Sequence, residues 1–181
     1  MAEIKTYTGK LVDPLNPDPE LIEITDIAHA LSFLCRGNGH VERFFSVGEH
    51  CILCCREALA RNLGSRIALA CLLHDASEAY MADVPRPVKD LLPGYREKEE
   101  ELLAVIFEKF LGSDLSAAEQ RAVKQIDDDL LYYDLRDLLH IETEELPPVL
   151  HVERPSQCRN FAQVQEEYLR LWAELSEKIG K

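Results

Sequence analysis

The chain has no apolar run near the about 18 residues that a membrane-spanning helix requires. Its opening, MAEIKTYTGKLVDP, also lacks the basic segment and apolar stretch of a secretory leader, so a soluble cytoplasmic protein is expected. Positive charge is scarce as well: 20 Lys and Arg against 33 Asp and Glu leave a formal net charge of −13. That balance excludes non-specific nucleic-acid binding, which depends on cations neutralising phosphates, and any phosphate handled here must meet a local cation. Low-complexity tracts and internal repeats are absent too. At 46% hydrophobic and 29% charged residues the composition is globular. The 181 residues fit one domain that buries roughly two-thirds of its unfolded surface.

Six cysteines are present without a secretory context, so reduced thiols are expected. Cys51 and Cys54 have zinc-pair spacing, but no second pair is spaced to complete a cysteine site, and the cysteines read as small core hydrophobes.

Strand signals are hard to find. Residues 1–20, with Gly9, Pro14, Pro17 and Pro19, read as an irregular arm. Thr25 and Asp26 can cap a helix through IAHALSFLCR, stopped by Gly37-Asn38-Gly39. Ser46 with Glu49 forms a capping-box pattern for a helix to about residue 62. Ser65 opens another, through RIALACLLHDASEAYM, expected to stop near Asp83 because of Pro85 and Pro87. A short apolar turn at 88–92 precedes an amphipathic helix ending at Gly112. Ser116 with Glu119 caps the next helix, residues 141–160 form a long connection, and a last helix runs from Phe161 to about Ile179. The expectation is an all-α, single-domain bundle of about six or more helices over residues 1–181.

One stretch sits uneasily in that picture. IALACLL is apolar nearly all round, as in a helix buried on most sides, yet it leads directly into His74 and Asp75. Glu78, four residues after His74, shares its helical face. A buried carboxylate costs several kcal/mol unless it is paired or metal-bound. His50, polar among apolar neighbours in SVGEHCILCC, and Asp127, inward-facing beside Ile126 and Leu130, are further candidates. Taken singly, each also fits a packed imidazole or a solvated acid, as expected for Asp128 and Asp129. Two imidazoles and two carboxylates would balance one divalent ion and leave coordination positions open for water and phosphate oxygen.

His50, the pair His74-Asp75 and the distant Asp127 resemble the H…HD…D ligand set of the HD-domain metal-dependent phosphohydrolase superfamily, over about residues 25–138. HDASEAYMADVPRPVK closely resembles the HD-type 5′-deoxynucleotidases. The stretches TYTGKLVDPLNP and LSFLCRGNGHVERFFSVGEH are similar to a bacterial and phage branch that includes dATP triphosphohydrolases. The resemblance implies an HD-type helical fold and hydrolysis of the 5′-phosphate of (deoxy)nucleoside monophosphates. Two alternatives stay open: release of tripolyphosphate from dNTPs, and a catalytically idle domain that binds nucleotide. It implies His50, His74, Asp75 and Asp127 as metal ligands, Glu78 as the acid/base and Asp83 as a second carboxylate near the substrate. Mixed N/O ligation suits Mn, Co, Fe, Ni or Zn better than Mg.

Arg36 is the expected phosphate clamp. It is placed at the end of the first helix, and it matches the arginine of the nucleotidases. Arg86 and Lys89 are weaker substrate-binding candidates, and His29 is left outside the site. Gly37 stands where the nucleotidases carry a tryptophan, which puts base or sugar selection apart from theirs. The implied partners are a small-molecule nucleotide and other copies of the chain, as a homo-oligomer, with neither nucleic acid nor membrane.

Overall fold

Side-chain caps set where the long helices begin. In this computed structural model, which describes residues 3–142, 144 and 146–181, Ser46 accepts from the Glu49 amide at 3.1 Å and opens α2 (Val47–Ala60). Ser116 and Glu119 form the expected reciprocal box at the start of α7 (Ala117–Leu139). Asn160 and Gln163 form another at the start of α8 (Phe161–Ile179). Caps of this kind contribute about 1 kcal/mol each. The box expected at Ser46 is only half made: Glu49 returns no bond to it and turns inward, where burial pushes its carboxyl up to about 7 against the pull of Arg159 and Arg43.

The remaining elements are α1 (Ile24–Phe33), α3 (Ser65–Leu73), the single turns α4 (Glu78–Met81) and α5 (Arg86–Lys89), and α6 (Tyr95–Leu111). The fold is all-α apart from one small hairpin, β1 (Ile4–Lys5) paired antiparallel with β2 (Leu11–Val12). The arm is therefore partly regular. Met1 and Ala2 of the arm, and Thr143 and Glu145 of the connection, lie outside the described residues. Asp26 does not cap α1, whose first turn is preceded by Glu23; its carboxylate instead accepts from the Thr8 amide at 2.7 Å and hydroxyl at 2.9 Å, anchoring the hairpin.

α3 is the central element, packed against α2, α6, α7 and α8. Ala68 through Leu73 have no exposed surface, as an all-apolar segment demands. α1 and α2 approach backbone to backbone at Gly48, where a Cβ would stand 3.2 Å from the Leu31 main chain. All six cysteines are unpaired. Among the described residues no helix is long and apolar enough to cross a membrane.

Two expected helices end early. α1 stops at Phe33, because Leu34 and Cys35 turn extended and the chain bridges to Phe45–Val47: the Arg36 amide donates to the Phe45 carbonyl at 2.9 Å and the Val47 amide to that of Leu34 at 2.9 Å. The helix expected from Ser65 to about Asp83 breaks after Leu73 into α3 and α4. Its last carbonyls are taken by other donors: Cys71 by the His74 ring at 2.7 Å, Leu72 by the Tyr168 hydroxyl at 2.6 Å, and Leu73 by the Ala76 amide at 2.9 Å. Tyr168→Phe should therefore destabilise the protein by about 1 to 3 kcal/mol, the cost of a buried carbonyl left without its donor. Urea unfolding measures this, and an unchanged midpoint would mean the hydroxyl plays no part in ending α3.

Candidate metal centre and its cavities

The break after Leu73 changes where the reactive side chains point. Residues 74–78 continue through tighter three-residue hydrogen bonds, with the Glu78 amide donating to the Asp75 carbonyl at 3.0 Å. From this turn His74 and Asp75 meet His50, fully buried on α2, and Asp127 on α7. His50 Nε2 lies 3.2 Å from Asp127 Oδ1. His74 Nε2 lies 3.3 Å from Asp75 Oδ2 and 3.6 Å from Asp127 Oδ1. The two imidazole centroids are 5.3 Å apart.

Both rings are oriented from behind. His74 donates from Nδ1 to the Cys71 carbonyl, and His50 Nδ1 lies 3.0 Å from Oδ2 of the buried Asp134 carboxylate. Neutral imidazoles held this way turn unprotonated Nε2 lone pairs toward Asp127 Oδ1, and His74 Nε2 faces Asp75 Oδ2 as well. His74 Nε2 is buried and makes no hydrogen bond. Four converging acceptors without a shared proton repel one another unless a cation or added proton sits among them, so this donor set fits a divalent ion. With protons in that role, burial pushes the His74 imidazole down but Asp75 and its neighbours outweigh burial and raise it well above the usual range. Burial likewise pushes Asp127 up, yet His50 and His74 hold it well below the ordinary carboxylate range.

Sulfur borders the cluster too. Ligand atoms of His50, Cys54 and His74 lie within 4.8 Å of one another, as do those of Cys51, His74 and Asp75. Cys54 Sγ is 3.4 Å from His50 Nε2, and burial pushes its thiol well up.

Arg36 closes one side. Its guanidinium donates to Asp75 Oδ2 at 3.3 Å and approaches Asp134 Oδ2 at 3.5 Å. Burial would lower its pKa, but Asp134 and Asp75 raise it, so the charge is permanent. It is not held at a helix end as expected; it follows the Cys35–Ser46 bridge and opens a tight turn in which Gly37 (φ 59°) and Asn38 (φ 53°) are left-handed.

The cluster separates two cavities. One, about 460 Å³, is lined by Arg36, Asp75, Glu78, Asp83, Arg86, Lys89, Asp127 and Asp134, with an apolar wall of Val41, Leu131, Leu135, Leu138 and Leu139. Every expected site residue except His50 and His74 therefore borders it. The other, about 770 Å³ between α6 and α7, is also reached by His74, Asp75 and Asp127 and is lined by Leu103, Phe107, Val123 and Lys124 among others. Glu78 is 6% exposed, with Oε2 buried and unpartnered. Burial first, then the nearby Asp75 and Asp83, push its carboxyl well above the usual range. Lys89 stands 3.8 Å from Glu78 but is committed to Glu99 at 2.6 Å. Arg86 is exposed and makes no ion pair among the described residues.

Three neighbours escape sequence reading. Asp134 lies two helical turns after Asp127 and Cys54 one turn after His50, so same-face spacing on α7 and α2 is a signal for both. Arg154, which pairs with Asp134 from the 141–160 connection, has no local signal. Asp128 is exposed as expected, whereas Asp129 is half-buried and accepts from Arg61 at 2.8 Å. His29 lies outside the centre, against Gln165 at 3.1 Å and stacked on Tyr7 at 3.7 Å.

Fold and site together define a helical protein with a buried histidine–carboxylate centre between two cavities. No family model matches the chain. It is 41% identical over 140 residues to the uncharacterized protein YfdR of Escherichia coli K12, covering 76% of this chain and 73% of that protein. It is also 41% identical over 130 residues to an uncharacterized protein of Rhodobacter capsulatus, covering 68% of this chain and 66% of that one. The chain belongs to the family of the E. coli YfdR protein.

Glu78 makes a stability prediction. Its folded pKa lies above the unfolded value near 4.3, so the folded state holds the proton longer, and stability falls as pH rises from about 4.3 through the folded pKa. Glu78→Gln removes that fall. Metal-free Glu78→Gln should gain urea stability over the parent at pH 8 and not at pH 4; an equal difference at both pH values would contradict it.

Proposed function

We propose that the chain is a divalent-metal-dependent phosphohydrolase of the HD type, hydrolysing the 5′-phosphate of (deoxy)nucleoside monophosphates. The supporting observation is the meeting of His50, His74, Asp75 and Asp127 from three parts of the chain, with Asp75, Asp127 and the buried Glu78 carboxyl, whose Oε2 has no partner, lining one cavity. The cavity's about 460 Å³ falls within the usual range for small-molecule sites. Arg36, Arg86, Lys89 and Arg96 share its lining with five carboxylates and an apolar wall, so a phosphate can meet cations there once a bound divalent ion offsets the acidic excess, and a nucleoside can meet apolar side chains.

His50, His74, Asp75 and Asp127 would hold the ion, which when bound supplies Lewis-acid polarisation of the phosphoryl group and activates water near neutral pH. Asp134 orients His50, and the Cys71 carbonyl orients His74. Arg36 is already engaged with Asp75 and Asp134, so it positions the ligand carboxylate as well as facing phosphate. Arg86, exposed and without an ion pair among the described residues, would meet the substrate as it arrives. Glu78, whose carboxyl burial pushes above the usual range, is the group that would deliver a proton to the leaving 5′-oxygen. Asp83 borders the same space and raises the Glu78 pKa.

The triphosphate alternative draws on the second cavity, which gives a longer substrate room beyond the centre. Self-association would be served by the ring stack Tyr7, His29, Phe33 and Phe161, in which Tyr7 is 62% exposed.

The test is a product assay on metal-supplemented protein. Orthophosphate plus nucleoside from dNMP is the expected result, tripolyphosphate from dNTP would shift the reading to the triphosphohydrolase, and no turnover with any divalent transition metal would reject the enzyme. Glu78→Ala should keep its metal while turnover falls by about 100-fold or more.

A further inference from the structure

We infer that Cys54 is a ligand of this metal centre, making it a mixed nitrogen, oxygen and sulfur site that selects zinc. The inference rests on the metal reading above and goes beyond the histidine–aspartate set.

The geometry is that of a coordination shell. Neighbouring donor atoms bonded at about 2.0 to 2.3 Å to one ion stand about 2.9 to 3.6 Å from each other, for four ligands or five. His50 Nε2 is 3.4 Å from Cys54 Sγ and 3.2 Å from Asp127 Oδ1, and His74 Nε2 is 3.6 Å from Asp127 Oδ1. Cys54 follows His50 by one helical turn on α2, so both side chains leave the same face. A second observation points to the same spot: His74 Nε2, on a side chain 9% exposed, is buried without a hydrogen bond. Cys54 itself is 1% exposed, so its thiol is closed to solvent and faces the cluster.

Coordination forms a metal–sulfur bond and releases the thiol proton to solvent. A thiolate beside Asp75 and Asp127 leaves the loaded centre with one net negative charge, which the Arg36 guanidinium, 3.3 Å from Asp75, offsets. A soft sulfur donor with two imidazoles favours zinc over the manganese that an all-nitrogen-and-oxygen set would accept.

Cobalt(II) reports sulfur ligation directly. Metal-free protein titrated with cobalt(II) should bind one ion and develop both visible ligand-field absorption and an intense near-ultraviolet sulfur-to-cobalt charge-transfer band. In Cys54→Ser the charge-transfer band should be lost while cobalt still binds, and in Cys51→Ser it should persist. Wild-type protein that binds cobalt with ligand-field absorption alone overturns the inference and leaves the metal centre standing, even if the Cys54 variant does not fold. A band that survives in Cys54→Ser also overturns it. Failure of the wild type to bind cobalt or zinc at all removes the metal centre and this inference together.

Discussion

The structure is organised around a repulsion. Two imidazole nitrogens and two carboxylates from α2, α7 and the end of α3 converge in a space largely closed to water, each offering a lone pair. Such an arrangement is unfavourable unless a cation or extra proton resides there. The surroundings are built to enforce the convergence and not to relieve it. The Cys71 carbonyl fixes the tautomer of His74, Asp134 fixes His50, and neither histidine can turn its second nitrogen away without breaking a buried hydrogen bond.

That constraint explains features that otherwise look like poor design for stability. α3 is fully buried from Ala68 through Leu73, yet it ends without a glycine and hands its last carbonyls to His74, Tyr168 and Ala76. Ending the helix there swings Asp75 toward Arg36 and lets Glu78 enter the first cavity from a separate turn. Arg36 and Arg154 supply the only positive charge in contact with Asp134 among the described residues. In a chain with net charge −13, these two arginines are what allow so many carboxylates to gather.

Much of this was legible in the sequence, and for physical reasons. IALACLL could only be a buried helix, so the polar residues following it had to be paired, and Ser116-Glu119 marked the start of the helix that carries Asp127. What stayed hidden depended on contacts between distant segments. The break after Leu73 needs Tyr168, almost a hundred residues away, to take a carbonyl, and the early end of α1 needs Phe45 and Val47 to pair with Leu34 and Arg36. Asp26 read as a cap because the hairpin that claims its carboxylate is too short to give an alternating pattern. The thiol of Cys54 read as core packing because cysteine is both a small hydrophobe and a ligand, and only its distance to His50 distinguishes the two.

The central claim is that one divalent ion belongs among these side chains. Anomalous X-ray scattering from crystals of the zinc-loaded protein, recorded on either side of the zinc absorption edge, tests it most directly. The account predicts a single peak within bonding distance of His50 Nε2, His74 Nε2 and Asp127. A peak elsewhere, or none at this position in crystals that contain stoichiometric zinc, would contradict it.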